Sequence, residues 1–456
     1  MKEDILNKNS STANQNGDKI ESQSSFPFKD EIKRFIKHIE SQINVVPLVM
    51  SLLNMKLLQE LKHLNKFSES NGIVEKKNNE NEAQLEIPSG IIYEFLKLAN
   101  NCETTGLANK LLPINFVVSF VSQYDAYLGG IIRAMYHAKP ELLNSSEKNI
   151  SLSELIKFAD IEEARQTLIE KEVESVLRES HLKQFLWLES KLGIPLRKDL
   201  PSFSAFIEIT ERRNLFVHCN GVVSRQYLNV CNDNEVPNIE KIKVGEKLYA
   251  KNEYLTQCYS VLFEIGVKLG QVIWRKLKPE ELKEADNNLS SICYDLVVKE
   301  HYNLAFNLLT FATDGLKKHF DQEIISIFII NKALCKYLSG KIEDCKQILQ
   351  QHDWSASNDI FKLAIAVLND EYQPALEIMK SIGSSNSKLT KDSYREWPLF
   401  KKFRKTDEFK KIYRDIFGEE LVYIEPKPKN VEDILAELKK YKEEEDLKEK
   451  ELEQTS

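Results

Sequence analysis

The amino-acid sequence predicts an all-α protein, and three observations support this fold class. The chain of 456 residues contains 15 Gly and 13 Pro, a small share for the two residues that most often interrupt helices. Apolar residues recur at helical spacings of three and four in many segments. Hydrophobic residues make up 42% of the chain, which is enough for real cores and excludes a wholly disordered protein.

The N-terminal region is predicted to be a tail followed by amphipathic helices. Residues 1–28 are rich in Ser, Asn, Gln and Lys, and we predict a disordered tail there. The apolar residues of 32–43 share one helical face, and a second apolar face follows a break at Pro47. We interpret residues 29–87 as a helical hairpin, or one kinked helix, that ends in the polar linker 68–84.

Three further segments complete the predicted organisation. Helical periodicity continues over residues 88–278, which we predict to form a helical bundle with a less regular connection at 220–248. Long connections of this kind often lie near functional sites. Residues 279–425 are predicted to be further helices, and residues 426–456 one charged, exposed helix.

A weak repeat lies within residues 279–425. Three segments, 300–305, 340–345 and 370–375, each place a small residue five positions after a turn-like start, and an apolar pair follows each: the small residues are Ala305, Cys345 and Ala375. The offsets of 40 and 30 residues straddle the roughly 34-residue tetratricopeptide (TPR) period. The pattern resembles the helix junction of that repeat, and it implies a short TPR-like α-solenoid able to bind a protein partner.

Charge, cysteines and motifs exclude several function classes. The net charge of −7 offers no bulk attraction for nucleic acid or for anionic membranes. The seven cysteines include no C-x-x-C pair, so neither a disulfide framework nor a zinc site is indicated. No uninterrupted apolar run of about 18 residues, signal peptide, P-loop, dinucleotide fingerprint or H-E-x-x-H motif is present. We therefore predict a cytoplasmic protein without metal, cofactor or membrane partner.

One segment could carry chemistry. Residues 202–221 are predicted to form a helix whose end is marked by Asn-Gly. Glu211, Asn214 and His218 share one face of this helix, and Arg213 lies on the neighbouring stripe. Polar groups in this position, beside apolar residues, indicate a partly buried polar patch.

The stretch Arg213-Asn214-Leu215-Phe216-Val217-His218 resembles the R-x(4–6)-H motif of the HEPN superfamily (higher eukaryotes and prokaryotes nucleotide-binding), in which a polar residue, often Asn, follows the arginine. The resemblance implies that residues 88–278 are a HEPN-like bundle of four to five helices followed by the TPR-like solenoid. It also implies a homodimer through this domain, with two motifs facing each other in a composite site.

The same resemblance implies an activity, and we take it as the main hypothesis: metal-independent endoribonuclease cleavage of RNA that leaves 2′,3′-cyclic phosphate and 5′-OH ends. Arg213 and His218 would be the catalytic pair. Asn214 would orient them, Glu211 would fix the tautomer of His218, and Arg212 would contact phosphate. A stress or antiviral-defence effector would fit such an activity by family analogy.

Other interpretations stay open. Arg213 and His218 could instead pair inside the bundle, with Glu208 or Glu211 bonding the two arginines at helical spacing. The chain could be a non-catalytic dimeric scaffold that binds RNA or protein, or a repeat adaptor whose Arg213 is paired with a glutamate.

Four residues outside the motif also carry side chains that a functional site could use. Asp125, beside Tyr124 on an apolar helix, is explained more simply by a buried hydrogen bond or an arginine partner than by a site role. Tyr227 is predicted to be core. His181 and the other scattered histidines are assigned no chemistry.

Overall fold

The computed structural model describes residues 27–78, 82–145, 150–198 and 200–422, together with Asp433. Helices dominate these residues, which confirms the all-α fold class. The α-helices are α1 (Pro27–Ser70), α2 (Ile92–Ala138), α3 (Leu152–Leu155), α4 (Ile161–Leu177), α5 (His181–Leu192), α6 (Phe203–His218), α7 (Arg225–Asp233), α8 (Asn252–Leu277), α9 (Leu282–Val298), α10 (Tyr302–Thr310), α11 (Gln322–Leu338), α12 (Ile342–Gln350), α13 (Asp359–Leu368), α14 (Tyr372–Ile382), α15 (Lys391–Glu396) and α16 (Asp407–Phe417). Strands β1 (Val74–Asn78) and β2 (Glu82–Glu86) pair antiparallel between α1 and α2.

The N-terminal region begins with one long helix. A helical hairpin or one kinked helix was expected over 29–87, and α1 is a single helix of 44 residues that contains Pro47, so the hairpin does not form there. Proline removes one helical hydrogen bond, but Val46 and Met50 on either side of it are buried, so the helix is packed at the position of the proline. β1 and the first three residues of β2 fall within the predicted linker 68–84.

Both predicted chain ends fall mainly outside the described residues. The predicted tail 1–28 does so except for Pro27 and Phe28, which begin α1. Phe28 is fully buried and stacks on Trp274 at 6.4 Å between ring centroids, so the tail prediction extended two residues too far. The predicted charged helix 426–456 lies outside the described residues apart from Asp433, which is helical.

Among the described helices, α1 meets a length and composition criterion for crossing a membrane. Its best 18-residue window has a mean hydropathy of 1.2, and 11% of that window is buried. Signal sequences and core helices of other proteins satisfy the same criterion, so it is weak evidence. The absence of a membrane partner stays a prediction.

The described chain divides into two compact units whose limits differ from the predicted domains. The first unit comprises 27–32, 131–171 and 267–422, and the second comprises 33–130 and 172–266. Sequence periodicity shows which face of a helix is apolar, but it does not show where along a long helix the neighbours change.

In the first unit, three helical hairpins follow one another: α9 with α10, α11 with α12, and α13 with α14. Two positions before each second helix, one residue has the left-handed backbone conformation: Glu300 (φ 63°), Gly340 (φ 77°) and Asp370 (φ 60°). The next backbone N–H in each hairpin donates to a carbonyl five residues back, at 2.9, 2.9 and 2.8 Å, which is the Schellman arrangement. The small residues of the sequence repeat are fully buried at these junctions: Ala305, Cys345 and Ala375.

The first unit also contains a buried carboxylate, Asp286. It accepts hydrogen bonds from Arg275 Nη2 at 2.8 Å, His319 Nδ1 at 2.8 Å and the Phe320 backbone N–H at 2.7 Å. Burial raises the pKa of Asp286, but these donors outweigh burial and the pKa is lowered. The carboxylate therefore joins α8, α9 and the segment before α11.

Aromatic side chains build the core of the second unit. The rings of Phe35 and Tyr127 stack at 4.5 Å, and the Tyr127 hydroxyl donates to the Gly266 carbonyl at 2.7 Å. A side chain at Gly266 would overlap the ring of Phe35, so the close approach of α1 to α8 requires glycine there. Tyr124 meets Phe206 edge-on at 5.0 Å, and this contact joins α2 to α6.

Candidate functional site

The predicted motif lies on α6 of the second unit. Phe206, Ile207 and Ile209 are buried on this helix, so its apolar face holds it in the core. Its end agrees with the prediction, because the N–H groups of Cys219 and Gly221 both donate to the Leu215 carbonyl, at 2.9 and 3.0 Å.

Arg213 projects from α6 onto α2. Its Nη2 donates to Oδ2 of Asp125 at 2.8 Å, and Oδ1 of the same carboxylate lies 2.9 Å from Nε2 of His181, on α5. The side chains of Arg213 and Asp125 are 21% and 28% exposed, whereas that of His181 is 7% exposed. We call Arg213, Asp125 and His181 the charged triad; it joins three helices and remains in partial contact with solvent.

Two other motif residues lie beside the triad. Glu211 is hydrogen-bonded to Asn214, and it interacts electrostatically with His181 and Arg213. Burial raises the pKa of Glu211, and these three groups oppose the increase without cancelling it. The groups that act on Glu211 are therefore Asn214, His181 and Arg213, and the predicted partner His218 is not among them.

Arg212 belongs to a separate buried cluster. Its Nε lies 2.6 Å from Glu208 Oε1, and its guanidinium stacks 4.2 Å from the ring centroid of Tyr254. Glu208 also accepts hydrogen bonds from the hydroxyls of Tyr227, at 2.7 Å, and Tyr254, at 2.8 Å. Burial and the Glu208 carboxylate raise the pKa of Tyr227, which is buried as predicted. Arg212 thus faces inward, in an ion pair that a phosphate contact would have to break.

His218 occupies the last turn of α6 and is exposed to solvent. Val217 beside it is 50% exposed, so the end of the motif helix forms part of the surface. The structure therefore groups Arg213, Asn214 and Glu211 with Asp125 and His181, whereas His218 lies at the open end of the helix and Arg212 is turned away.

Sequence reasoning singled out Asp125 and explained it by a buried hydrogen bond or an arginine partner, and in the structure Arg213 is such a partner. His181 was missed. It lies 56 positions from Asp125 in the chain, and a histidine at the start of an ordinary amphipathic helix carries no signal of such a contact.

No group of three or more His, Cys, Asp or Glu side chains among the described residues could hold a metal ion. Two cavities, of about 410 and 240 Å³, are lined by residues of the first unit. Neither cavity contains a residue of the motif.

Comparison with known proteins adds no relative. No family model, curated protein or solved structure matches the chain. Membership of the HEPN superfamily and the TPR-like character of the repeats stay predictions.

Proposed function

We propose that this chain is a metal-independent endoribonuclease of the HEPN type. The observation that carries the proposal is the arrangement on α6, where Arg213 is held by Asp125 at 2.8 Å while His218 of the same motif is exposed. An oriented guanidinium and an accessible imidazole are the two groups that RNA cleavage without metal requires.

Helix geometry supports a site made by two copies of the chain. Residues five apart on an ideal helix are separated by about 7.5 Å along the axis and about 140° around it. Arg213 and His218 of one chain therefore do not converge on one phosphate group. A two-fold axis that brings two α6 ends together would set the imidazole of one protomer near the arginine of its partner.

The proposed reaction uses these side chains and water. One imidazole takes the ribose 2′-OH proton while the 2′ oxygen attacks phosphorus. The bond to the 5′ oxygen breaks, and that oxygen takes a proton from an imidazolium or from water. Arg213 stabilises the charge that develops on the phosphoryl oxygens. The products carry 2′,3′-cyclic phosphate and 5′-OH ends.

The helical hairpins of the first unit are proposed to be TPR-like repeats. Support comes from the three equivalent left-handed junctions, each followed by a buried small residue. We propose that they bind a protein partner, in a cytoplasmic stress or defence effector.

A second function has its own supporting observation. Arg213 is already paired inside the chain, and this pairing also favours a non-catalytic scaffold in which the charged triad joins α2, α5 and α6. The scaffold would dimerise and bind RNA or protein without cutting.

The test is cleavage of total RNA and tRNA by the purified chain in excess EDTA. We expect fragments with cyclic phosphate ends from wild type, and a loss of rate of about 10²- to 10⁴-fold in His218→Ala. His137→Ala is the matched control, since His137 is also an exposed histidine in the last turn of a helix. No cleavage by folded wild type, or equal cleavage by the His218 variant, would contradict the proposal and favour the scaffold.

A further inference from the structure

A short two-stranded ribbon follows the motif helix directly. Asn220 and Gly221 both have positive φ, 50° and 78°, and they reverse the chain just after His218. The returning segment pairs with residues 245–248: Leu248 N–H donates to Gly221 O, Val223 N–H to Glu246 O, and Gly245 N–H to Val223 O, at 2.9, 2.8 and 2.9 Å. The ribbon therefore begins two residues from the proposed catalytic imidazole.

The two faces of this ribbon differ. Val222 pairs directly with Lys247 in antiparallel orientation, so these two side chains lie on the same face of the ribbon. Side chains alternate between the faces, so residues two positions along either strand share that face. On one face Gly221, Val223, Leu248 and Ala250 are buried and Glu246 is exposed. The opposite face, which we call the outer ribbon face, carries Val222, Lys247 and Tyr249, and all three are exposed.

The outer ribbon face combines an aromatic ring with positive charge. Tyr249 is 46% exposed, and Nζ of Lys247 lies 5.8 Å from its ring centroid. Residues 241–251 contain four lysines and one acidic residue, Glu246, in a chain whose net charge is −7. Protein surfaces that bind unpaired nucleotides commonly combine exposed aromatic rings with lysines. The bases stack on the rings, and the phosphates attract the lysine ammonium groups.

We propose that the outer ribbon face is the single-stranded RNA contact of this site. Tyr249 stacks on a base next to the scissile phosphate, and Lys247 contacts the backbone phosphate that follows. The inference rests on the proposed function for the identity of the ligand, and it assigns substrate binding to residues outside the motif.

Charge argues against a second copy as the occupant of this face. A two-fold interface made through the outer ribbon face itself would bury the lysines of each copy against those of the other, and like charges brought together repel. The proposed dimer contact lies at the end of α6 and not on this face. RNA instead supplies the complementary charge.

The test is equilibrium binding of a short, fluorescein-labelled, single-stranded RNA of mixed sequence to the full-length chain, followed by fluorescence anisotropy. All variants carry His218→Ala, so that the RNA stays intact. We expect Tyr249→Ala to raise Kd roughly five- to a hundredfold, whereas Tyr249→Phe, which keeps the ring, stays within about twofold. Lys247→Gln should reduce the slope of log Kd against log salt by about 0.7.

Tyr93→Ala is the matched control, because Tyr93 on α2 is 82% exposed and lies outside the ribbon. Unchanged Kd in both Tyr249→Ala and Lys247→Gln would overturn the inference. So would a Tyr249→Ala protein that changes its oligomeric mass and keeps its RNA affinity, because the face would then be a contact between copies.

The inference and the proposed function can fail separately. RNA binding that depends on Tyr249 in a wild-type chain that never cleaves would support the inference and reject the nuclease. Cleavage lost in His218→Ala, together with a KM unchanged in Tyr249→Ala, would support the nuclease and reject the inference.

Discussion

Asp125 uses each carboxylate oxygen for a different partner, Arg213 on one side and His181 on the other. It is 28% exposed, so neither interaction carries the full cost of burial. A carboxylate shared in this way restricts the guanidinium to one orientation. Asp125 is thus a positioning residue for the proposed site and a stabilising residue for the bundle.

Removal of Asp125 should affect stability more than removal of a surface carboxylate with the same chemistry. Asp125→Ala leaves Arg213 and His181 without their acceptor, and we expect a loss of about 1–3 kcal/mol in the free energy of unfolding. Glu170 also accepts two hydrogen bonds from an arginine, Arg133, but both side chains are largely exposed, so Glu170→Ala should cost less than about 1 kcal/mol. Urea unfolding measures both, and equal losses would contradict the role of the triad.

The pH dependence of stability should reveal Glu211. Its folded-state pKa is raised, so its stabilising contribution is present below the unfolded pKa and is lost as the pH rises through the folded pKa. Glu211→Gln should therefore be more stable than wild type at neutral pH and equal to it in acid.

Glu170 supplies a control of opposite sign for that experiment. The hydrogen bond from Arg133 lowers its pKa against the effect of burial, so its contribution is present above the unfolded pKa and lost in acid. Glu170→Gln should be less stable than wild type at neutral pH. Urea unfolding over a pH series compares the variants, and a Glu211→Gln chain that is less stable than wild type at neutral pH would refute the assignment.

At the scale of elements, the turn after α6 depends on Gly221. It has a φ of 78°, and a Cβ there would lie 2.7 Å from the Leu248 carbonyl oxygen. We expect Gly221→Ala to lose about 2–3 kcal/mol in urea unfolding, since the conformational penalty and the clash add. Gly245→Ala, at φ 86° with open space around it, should lose about 1 kcal/mol. Equal losses would show that the ribbon does not hold the turn closely.

The repeat junctions make a second element-scale prediction. Gly340 is left-handed in open space, so Gly340→Ala should lower the free energy of unfolding by about 1 kcal/mol. Gly106 lies inside α2, also in open space but with helical backbone, and Gly106→Ala should raise stability by about 0.5–1 kcal/mol. Thermal or urea unfolding gives the sign of each, and a stabilised Gly340 variant would be inconsistent with the junction geometry.

At the scale of the whole molecule, the proposed site predicts a homodimer. Light scattering coupled to size exclusion should report about twice the 52.8 kDa of one chain. Arg213→Ala and His218→Ala should each be inactive alone, and mixing them should restore part of the cleavage, because a mixed dimer keeps one arginine and one histidine. A monomer that cleaves RNA would refute the composite site.

Sequence patterns within a few residues predicted local features of this fold, but they did not predict contacts between residues far apart in the chain. The end of α6 follows from Asn-Gly, whereas at its start Ser202 makes no capping hydrogen bond to the helix. The burial of Ala305, Cys345 and Ala375 agrees with their positions in the repeat. Only Arg212 has an acidic residue at helical spacing, because Glu208 stands four positions before it, whereas no acidic residue stands three or four positions from Arg213. One pairs with Glu208 on its own helix, and the other with Asp125, 88 positions away.

The sequence by itself determined the helical class, the limits of the motif helix and the positions of the repeat junctions. Those features depend on backbone propensity and on apolar spacing within a few residues. Tertiary structure alone decided that α1 continues through Pro47, that His181 joins Asp125, and that Lys247 and Tyr249 lie beside the end of α6. Ion pairs and exposed faces depend on which helices, far apart in the sequence, pack against each other. Helical periodicity carries no information about that packing.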